Sequence, residues 1–165
     1  MCAQRMKFFL KDNAVSYRMS APRPIPVRSQ EPAASEITNH IASGIIVQCD
    51  EPTDWCSPAF FVPKGDGKCV RLVTDYTKLN QYVVRPVHPF PSVFDILQSM
   101  PASKACFAKL DAIDGYFQIP LDDKASKLTT FILPSGSYRY LRSPMGLSSS
   151  SDKWCQHSDL SLIHI

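Results

Sequence analysis

The chain has 165 residues, 44% of them hydrophobic, and a formal charge of +3 at neutral pH. That length holds one domain or a piece of a larger one, and the apolar share suffices for a core. The weak positive balance permits nucleic-acid binding without arguing for it, and the apolar patch at 8–10 is too short for a secretory h-region or a membrane span. Fourteen prolines against six glycines predict many extended, punctuated segments. The six cysteines, at 2, 49, 56, 69, 106 and 155, form no Cys-x-x-Cys pair, and Cys155 with His157 makes only two lone ligands. A zinc site is therefore not expected, and free thiols in a reducing compartment are.

Residues 1–30 show no clear period, and the alternation of Pro22, Pro24 and Pro26 predicts an extended arm and no helix, with Arg18, Arg23 and Arg28 as a basic lead-in and residues 1–24 poorly ordered. Residues 31–43 read as a helix, with Ala33, Ile37 and Ile41 on one face and Gly44 as its C-terminal cap. A short strand at 45–47 and a turn at 51–54 follow. Residues 57–63 read as a strand, 64–68 as a tight hairpin tip and 70–76 as the returning strand. Lys64, Lys68 and Arg71 near that tip are either an anion-facing device or ordinary solvated charges. Pro86, Pro89 and Pro91 interrupt the chain, and 93–100 predicts a short helix with Val93, Ile96 and Leu97 along one side.

The mostly apolar run at 105–110 reads as a short buried strand that delivers Asp111 to its end. There Asp111 either faces a cleft, where it could hold a divalent cation, or caps the following turn. Asp111 and Asp114 are three apart, so along a strand they point to opposite faces and do not form a pair. Asp114-Gly115 is a turn signal, and Gly115 lets a backbone come close to a ligand. Tyr116 and Phe117 offer either a flat surface for a sugar or base, or core packing. Residues 121–124 read as a charged turn, 128–133 as a strand, 134–137 as a turn and 138–141 as its return. Residues 144–147 break the chain again, and the serines at 148–151 predict a cap for a helix beginning near Asp152.

Several of these segments together carry a resemblance. Ser57-Pro58, Val62-Pro63-Lys64, Gly65-Asp66-Gly67-Lys68 and the run from Arg71-Leu72-Val73-Thr74-Asp75-Tyr76 to Leu79-Asn80 resemble the fingers hairpin of reverse transcriptases of gypsy-type LTR retrotransposons. His88-Pro89-Phe90-Pro91 resembles the Tyr-Pro-Leu-Pro region that follows it. Leu110-Asp111-Ala112-Ile113-Asp114-Gly115-Tyr116-Phe117-Gln118-Ile119 is similar to the first palm motif. Tyr138-Arg139-Tyr140-Leu141-Arg142-Ser143-Pro144-Met145-Gly146-Leu147 is similar to the segment ending in Pro-Phe-Gly-Leu. The order and spacing agree, and the similarity runs from about Ile25 to Asp159.

The resemblance implies an α+β, right-hand polymerase fold: an arm at 1–24, fingers at 25–105, an incomplete palm at 106–159 and a tail at 160–165 that no longer follows the family. It implies that Asp111 is a catalytic carboxylate binding two magnesium ions, with the Ala112 carbonyl on one of them. Lys64 and Arg71 would hold the incoming deoxynucleoside triphosphate, helped by backbone N–H groups near Asp114 and Gly115. Tyr116 would lie under the sugar and oppose a 2′-hydroxyl, Met145 would sit near the nucleotide, and Gly146 would permit close template approach. The implied partners are an RNA or DNA template-primer and further Pol segments, with no membrane. The implied setting is intracellular, in the cytoplasm or a virus-like particle.

The departure from the family matters as much. Its palm carries Tyr-x-Asp-Asp on a later hairpin, and nothing after Gly146 matches it. The pair Asp122-Asp123 precedes the Pro-Met-Gly-Leu segment and reads as an exposed charged turn, while Asp152 and Asp159 stand alone. Thumb, connection and ribonuclease H parts have no counterpart, and the tail reads as a truncated or frame-shifted end. Two-metal nucleotidyl transfer needs cations roughly 3.5–4 Å apart, more than one carboxylate serves well. The expectation is thus a polymerase fragment with little or no activity alone. The alternatives are a non-catalytic nucleic-acid-binding remnant and an unstable translation product.

Overall fold

The computed structural model describes residues 5–65, 69–85, 92–99 and 111–162. The strand expected at 105–110, the tip at 66–68 and the segment 88–91 lie outside the described residues.

Helix α1 spans Val27–Ala42, four residues earlier at its start than the expected 31. The helix runs through Pro32, whose fixed φ is itself helical, so the proline removes one intrahelical donor without ending the helix. Ala33 and Ile37 are buried, but Ile41 is 44% exposed, so the inward stripe is shorter than four-residue spacing suggests. Gly44, at φ +63°, ends the helix as expected. Its N–H donates to the Ile41 carbonyl (3.0 Å), and that of Ile45 donates to the His40 carbonyl (2.9 Å).

The chain then builds a five-stranded sheet from β2 (Ile46–Gln48), β3 (Ser57–Lys64), β4 (Cys69–Thr74), β6 (Phe131–Leu133) and β7 (Gly136–Tyr140), in the order β2-β7-β6-β3-β4. β3 and β4 form the expected antiparallel hairpin, with Ala59 opposite Thr74 and Lys64 opposite Cys69. β6 and β7 form a second hairpin, with Phe131 opposite Tyr138. The two hairpins join where β3 pairs with β6 in parallel, Ser57 beside Phe131. Phe131 and Ala59 are fully buried at that seam, and the Phe131 ring packs 5.1 Å from that of Tyr140 and 5.8 Å from that of Tyr138. Fold class is therefore α+β, a mixed sheet with helices around it.

Three loop expectations are corrected. Residues 121–124 are no simple charged turn: Asp122 caps helix α4 (Asp123–Leu128), accepting from the Ala125 N–H at 2.7 Å. Helix α5 (Ser148–Leu162) begins at Ser148 and not near Asp152, because the Asn80 side chain, at the end of the short helix α2 (Thr77–Asn80), caps it from outside. Asn80 Oδ1 accepts from the Ser148 N–H at 2.9 Å. Asp152, isolated in sequence, is buried in a two-point ion pair with Arg85, at 2.5 and 3.1 Å. Helix α3 (Val93–Ser99) is held by a capping box between Ser92 and Asp95. It leaves Phe94 (65%) and Leu97 (58%) exposed.

The arm is extended but not loose over the described residues 5–24. Met6 and Phe8 are buried, β1 (Phe9–Leu10) pairs with β5 (Val83–Val84), and the Met6 N–H donates to the Pro120 carbonyl at 2.7 Å. The Met19 N–H donates to Cys56, and the Cys56 N–H to Tyr17, both at 2.9 Å. Alternating prolines forbid a helix here, yet an extended chain can still add backbone bonds to an open edge. Met6→Ala is expected to cost about 2–5 kcal/mol in urea unfolding, the range for a buried large-to-small change. A loss under ~0.5 kcal/mol would mean the arm is not docked.

Candidate functional site

The β3–β4 register sets the first wall. Lys64 lies opposite Cys69, and Arg71 lies opposite Val62. Lys64 and Arg71 are thus diagonal neighbours on one hairpin face. Both line a groove of about 490 Å³ between that hairpin, α1, the turn after Asp111 and the Met145-Gly146 turn.

The second wall comes from the later part of the chain. Residues 115–118 form a 3-10 turn entered through Asp114, which holds left-handed backbone at φ 50°, ψ 41°. It is the one non-glycine residue with positive φ among the described residues. Asp114 and Phe117 line the groove, and Phe117 stacks on Tyr140 with ring centroids 6.3 Å apart. Gly146, at φ +86°, closes the groove against β4, where an added Cβ would stand 3.5 Å from the Thr74 carbonyl. Its own carbonyl accepts from the Asn80 side-chain amide at 2.8 Å. The Asn80 side chain therefore grips the chain on both sides of Leu147, where the turn carrying Met145 (47% exposed) passes into α5.

Charge in the groove is mixed. Glu36 Oε1 lies 3.2 Å from Lys64 Nζ and 3.7 Å from His40 Nε2. The His40 ring rests edge-on against Phe117, and its Nδ1 is buried without a hydrogen bond among the described residues. Burial holds the His40 pKa below its ordinary 6.5; Glu36 and Asp114 oppose that effect and Lys64 adds to it. Burial likewise pushes the Tyr140 phenol up to about 12, so it stays neutral, within 3.4 Å of the Thr74 hydroxyl.

The residues singled out from sequence divide in two. Lys64, Arg71, Asp114, Met145 and Gly146 share the groove. Asp111 and Ala112 are exposed, and neither is among the residues lining it. Gly115 and Tyr116 turn toward α5: an added Cβ at Gly115 would meet the Trp154 ring at 3.0 Å, and the Tyr116 ring lies edge-on to Trp154 at 6.4 Å. Sequence reasoning missed Glu36 and His40. Their only signal was four-residue spacing on a helix, which does not say what packs above it.

The resemblance seen in the sequence implies two magnesium ions, and the described residues by themselves do not fit them. No group of three or more His, Cys, Asp or Glu side chains among them could hold a metal ion. Asp111 is exposed and belongs to no such group.

A profile of the family described as "Reverse transcriptase (RNA-dependent DNA polymerase)" matches residues 62–156. The chain is 35% identical over 127 residues to the Retrovirus-related Pol polyprotein from transposon 412 of Drosophila melanogaster, covering 73% of this chain and 10% of the relative. It is 32% identical over 127 residues to the Transposon Tf2-3 polyprotein of Schizosaccharomyces pombe, covering 77% of this chain and 9% of the relative. It thus spans about a tenth of these polyproteins. Among solved structures, the Prototype Foamy Virus Protease-Reverse Transcriptase superposes with a TM-score of 0.77 at 21% identity, over 94% of this chain and 20% of that one. The foamy viral protease-reverse transcriptase in complex with an RNA/DNA hybrid gives 0.75 at 18% identity, over the same shares.

The Gly115–Trp154 contact is testable. Gly115→Ala should destabilise by about 1–3 kcal/mol through overpacking. The loss should shrink in a Trp154→Phe background, measured as a double-mutant cycle in urea. Equal losses in both backgrounds would place the strain elsewhere.

Proposed function

Because the chain belongs to the reverse transcriptase (RNA-dependent DNA polymerase) family, we propose that it supplies the nucleotide groove and the first palm carboxylate of a retrotransposon Pol reverse transcriptase of the gypsy type. The observation that carries this reading is the convergence of Lys64, Arg71, Asp114, Met145 and Gly146 on one groove. An ammonium point charge and a planar guanidinium fork suit the oxygens of a deoxynucleoside triphosphate. A left-handed residue in a turn, as at Asp114, is a geometry in which successive N–H groups converge on an anion. Met145 would border the nucleotide, and Tyr116, which packs on Trp154 at the α5 side of the turn, would have to swing inward to lie under the sugar. Gly146 would give a template room that a side chain would fill.

In this reading residues 25–105 act as fingers and 106–159 as part of a palm, with β3 and β6 hydrogen-bonded across that division. The partners are an RNA or DNA template-primer and the remaining Pol segments, in an intracellular setting. Asp111, with the Ala112 carbonyl beside it, would hold magnesium only when further carboxylates join them. The 165 residues alone are therefore inactive as a polymerase.

Primer extension on an RNA template, with deoxynucleotides and magnesium, is expected to show no incorporation by this chain. Incorporation that disappears in Asp111→Asn would overturn the inactivity. Binding of an RNA–DNA hybrid is expected to weaken as salt rises, because each phosphate contact releases counterions.

A further inference from the structure

The groove contains an anion of its own, placed where the proposed triphosphate would go. Glu36 Oε1 is shared between Lys64 Nζ at 3.2 Å and His40 Nε2 at 3.7 Å. Glu36 and His40 stand one turn apart on α1, while Lys64 reaches over from β3. The side chain of Glu36 is 19% exposed and that of His40 14%, so both lie at the bottom of the groove, whereas Lys64 is 44% exposed at its mouth. With His40 neutral, the groove's formal charges are Lys64 and Arg71 against Glu36 and Asp114, a sum of zero. A polyphosphate gains little from a neutral site. It gains more once Glu36 is drawn off Lys64, and a protonated His40 is the group positioned to draw it off.

We propose that Glu36 is a positioning residue for the polyphosphate site: its carboxylate holds Lys64 in the free chain and passes to protonated His40 when a polyphosphate takes Lys64. The proposal rests on the reading that Lys64 and Arg71 hold a triphosphate. The charged and titratable groups facing His40 are Glu36 from its own helix, Lys64 from β3 and Asp114 from the 3-10 turn. Arg71 and the neutral Tyr140 border the same groove. The sign follows from charge. A bound polyphosphate cancels the positive field of Lys64 at His40 and frees Glu36 toward it, and both changes favour the imidazolium. By linkage, the polyphosphate then binds more tightly as pH falls through the His40 titration, below its ordinary 6.5.

The test is calorimetric titration of the whole chain with inorganic tripolyphosphate at low ionic strength. Lys64→Ala and Arg71→Ala should weaken binding. Glu36→Gln should tighten it roughly two- to fivefold, the size of one partly exposed ion pair, and should have no further effect in a Lys64→Ala background. The extra affinity gained on lowering pH should vanish in His40→Gln, while the ligand's own titration remains in both proteins. NMR titration of the His40 imidazole in the unmutated chain should show its pKa rising when tripolyphosphate is bound, a shift that no purely structural role produces. If Lys64→Ala weakens binding but Glu36→Gln leaves it unchanged, or if the His40 titration ignores the ligand, the inference falls and the groove reading stands. If neither Lys64→Ala nor Arg71→Ala weakens binding, both fall.

Discussion

The groove depends on β3 being paired along both of its edges. On one side β3 meets β4 and so carries Lys64 and Arg71. On the other it meets β6 in parallel, which binds the first hairpin to the strand pair leading to Met145 and Gly146. Parallel neighbours require a long crossover. Here the crossover is long enough to hold α2, β5, α3, the 3-10 turn and α4. The seam between Ser57 and Phe131 thus joins, through one sheet, the cations of one hairpin to the backbone turn that follows the other. The burial of Ala59 and Phe131 at the seam supplies the apolar contact that holds it.

Asn80 adds a second constraint. One side chain donates to the Gly146 carbonyl and accepts from the Ser148 N–H, so it fixes the turn and starts α5 in the same act. An amide is suited to this because it is donor and acceptor at once. The consequence reaches Tyr116. α5 brings Trp154 against Gly115 and Tyr116, so the side of the turn away from the groove is packed. Phe117, on the groove side, stacks on Tyr140. Consecutive residues of a single 3-10 turn thus serve opposite faces.

The electrostatics of the groove differ from those of a plain cation pocket. Glu36 compensates Lys64, and burial keeps His40 from charging freely. The cost of confining charge is thereby reduced in the free chain, where two carboxylates, Glu36 and Asp114, offset the two cations of the groove. Asp111 stands apart, exposed and with no cluster of metal-binding side chains around it among the described residues. Under the proposed function, polyphosphate binding and metal binding would make separate demands on the chain, and the groove residues would serve only the first of them.

Much of this was legible in the sequence. Period-two apolar runs bounded by proline and glycine placed β3, β4 and β7 to within about a residue or two, because local alternation and turn chemistry decide them. Gly44 announced its helix end because only a residue free of Cβ strain takes that backbone cheaply. The motifs named the family, and five of the site residues they marked share one groove. Other features needed the tertiary structure. The arm looked loose because its bonds go to distant partners, Pro120, Tyr82 and Cys56, which no local pattern reveals. α5 began early because its cap comes from Asn80, far back in the chain. Glu36 and His40 looked like an ordinary polar helix face until the β3–β4 hairpin packed above them. Sequence therefore determined which residues can form each element and which chemistry they carry. The long-range pairing of β3 and the packing of α1 on its hairpin decided which of them face one another, because those contacts set the distances at which charges act.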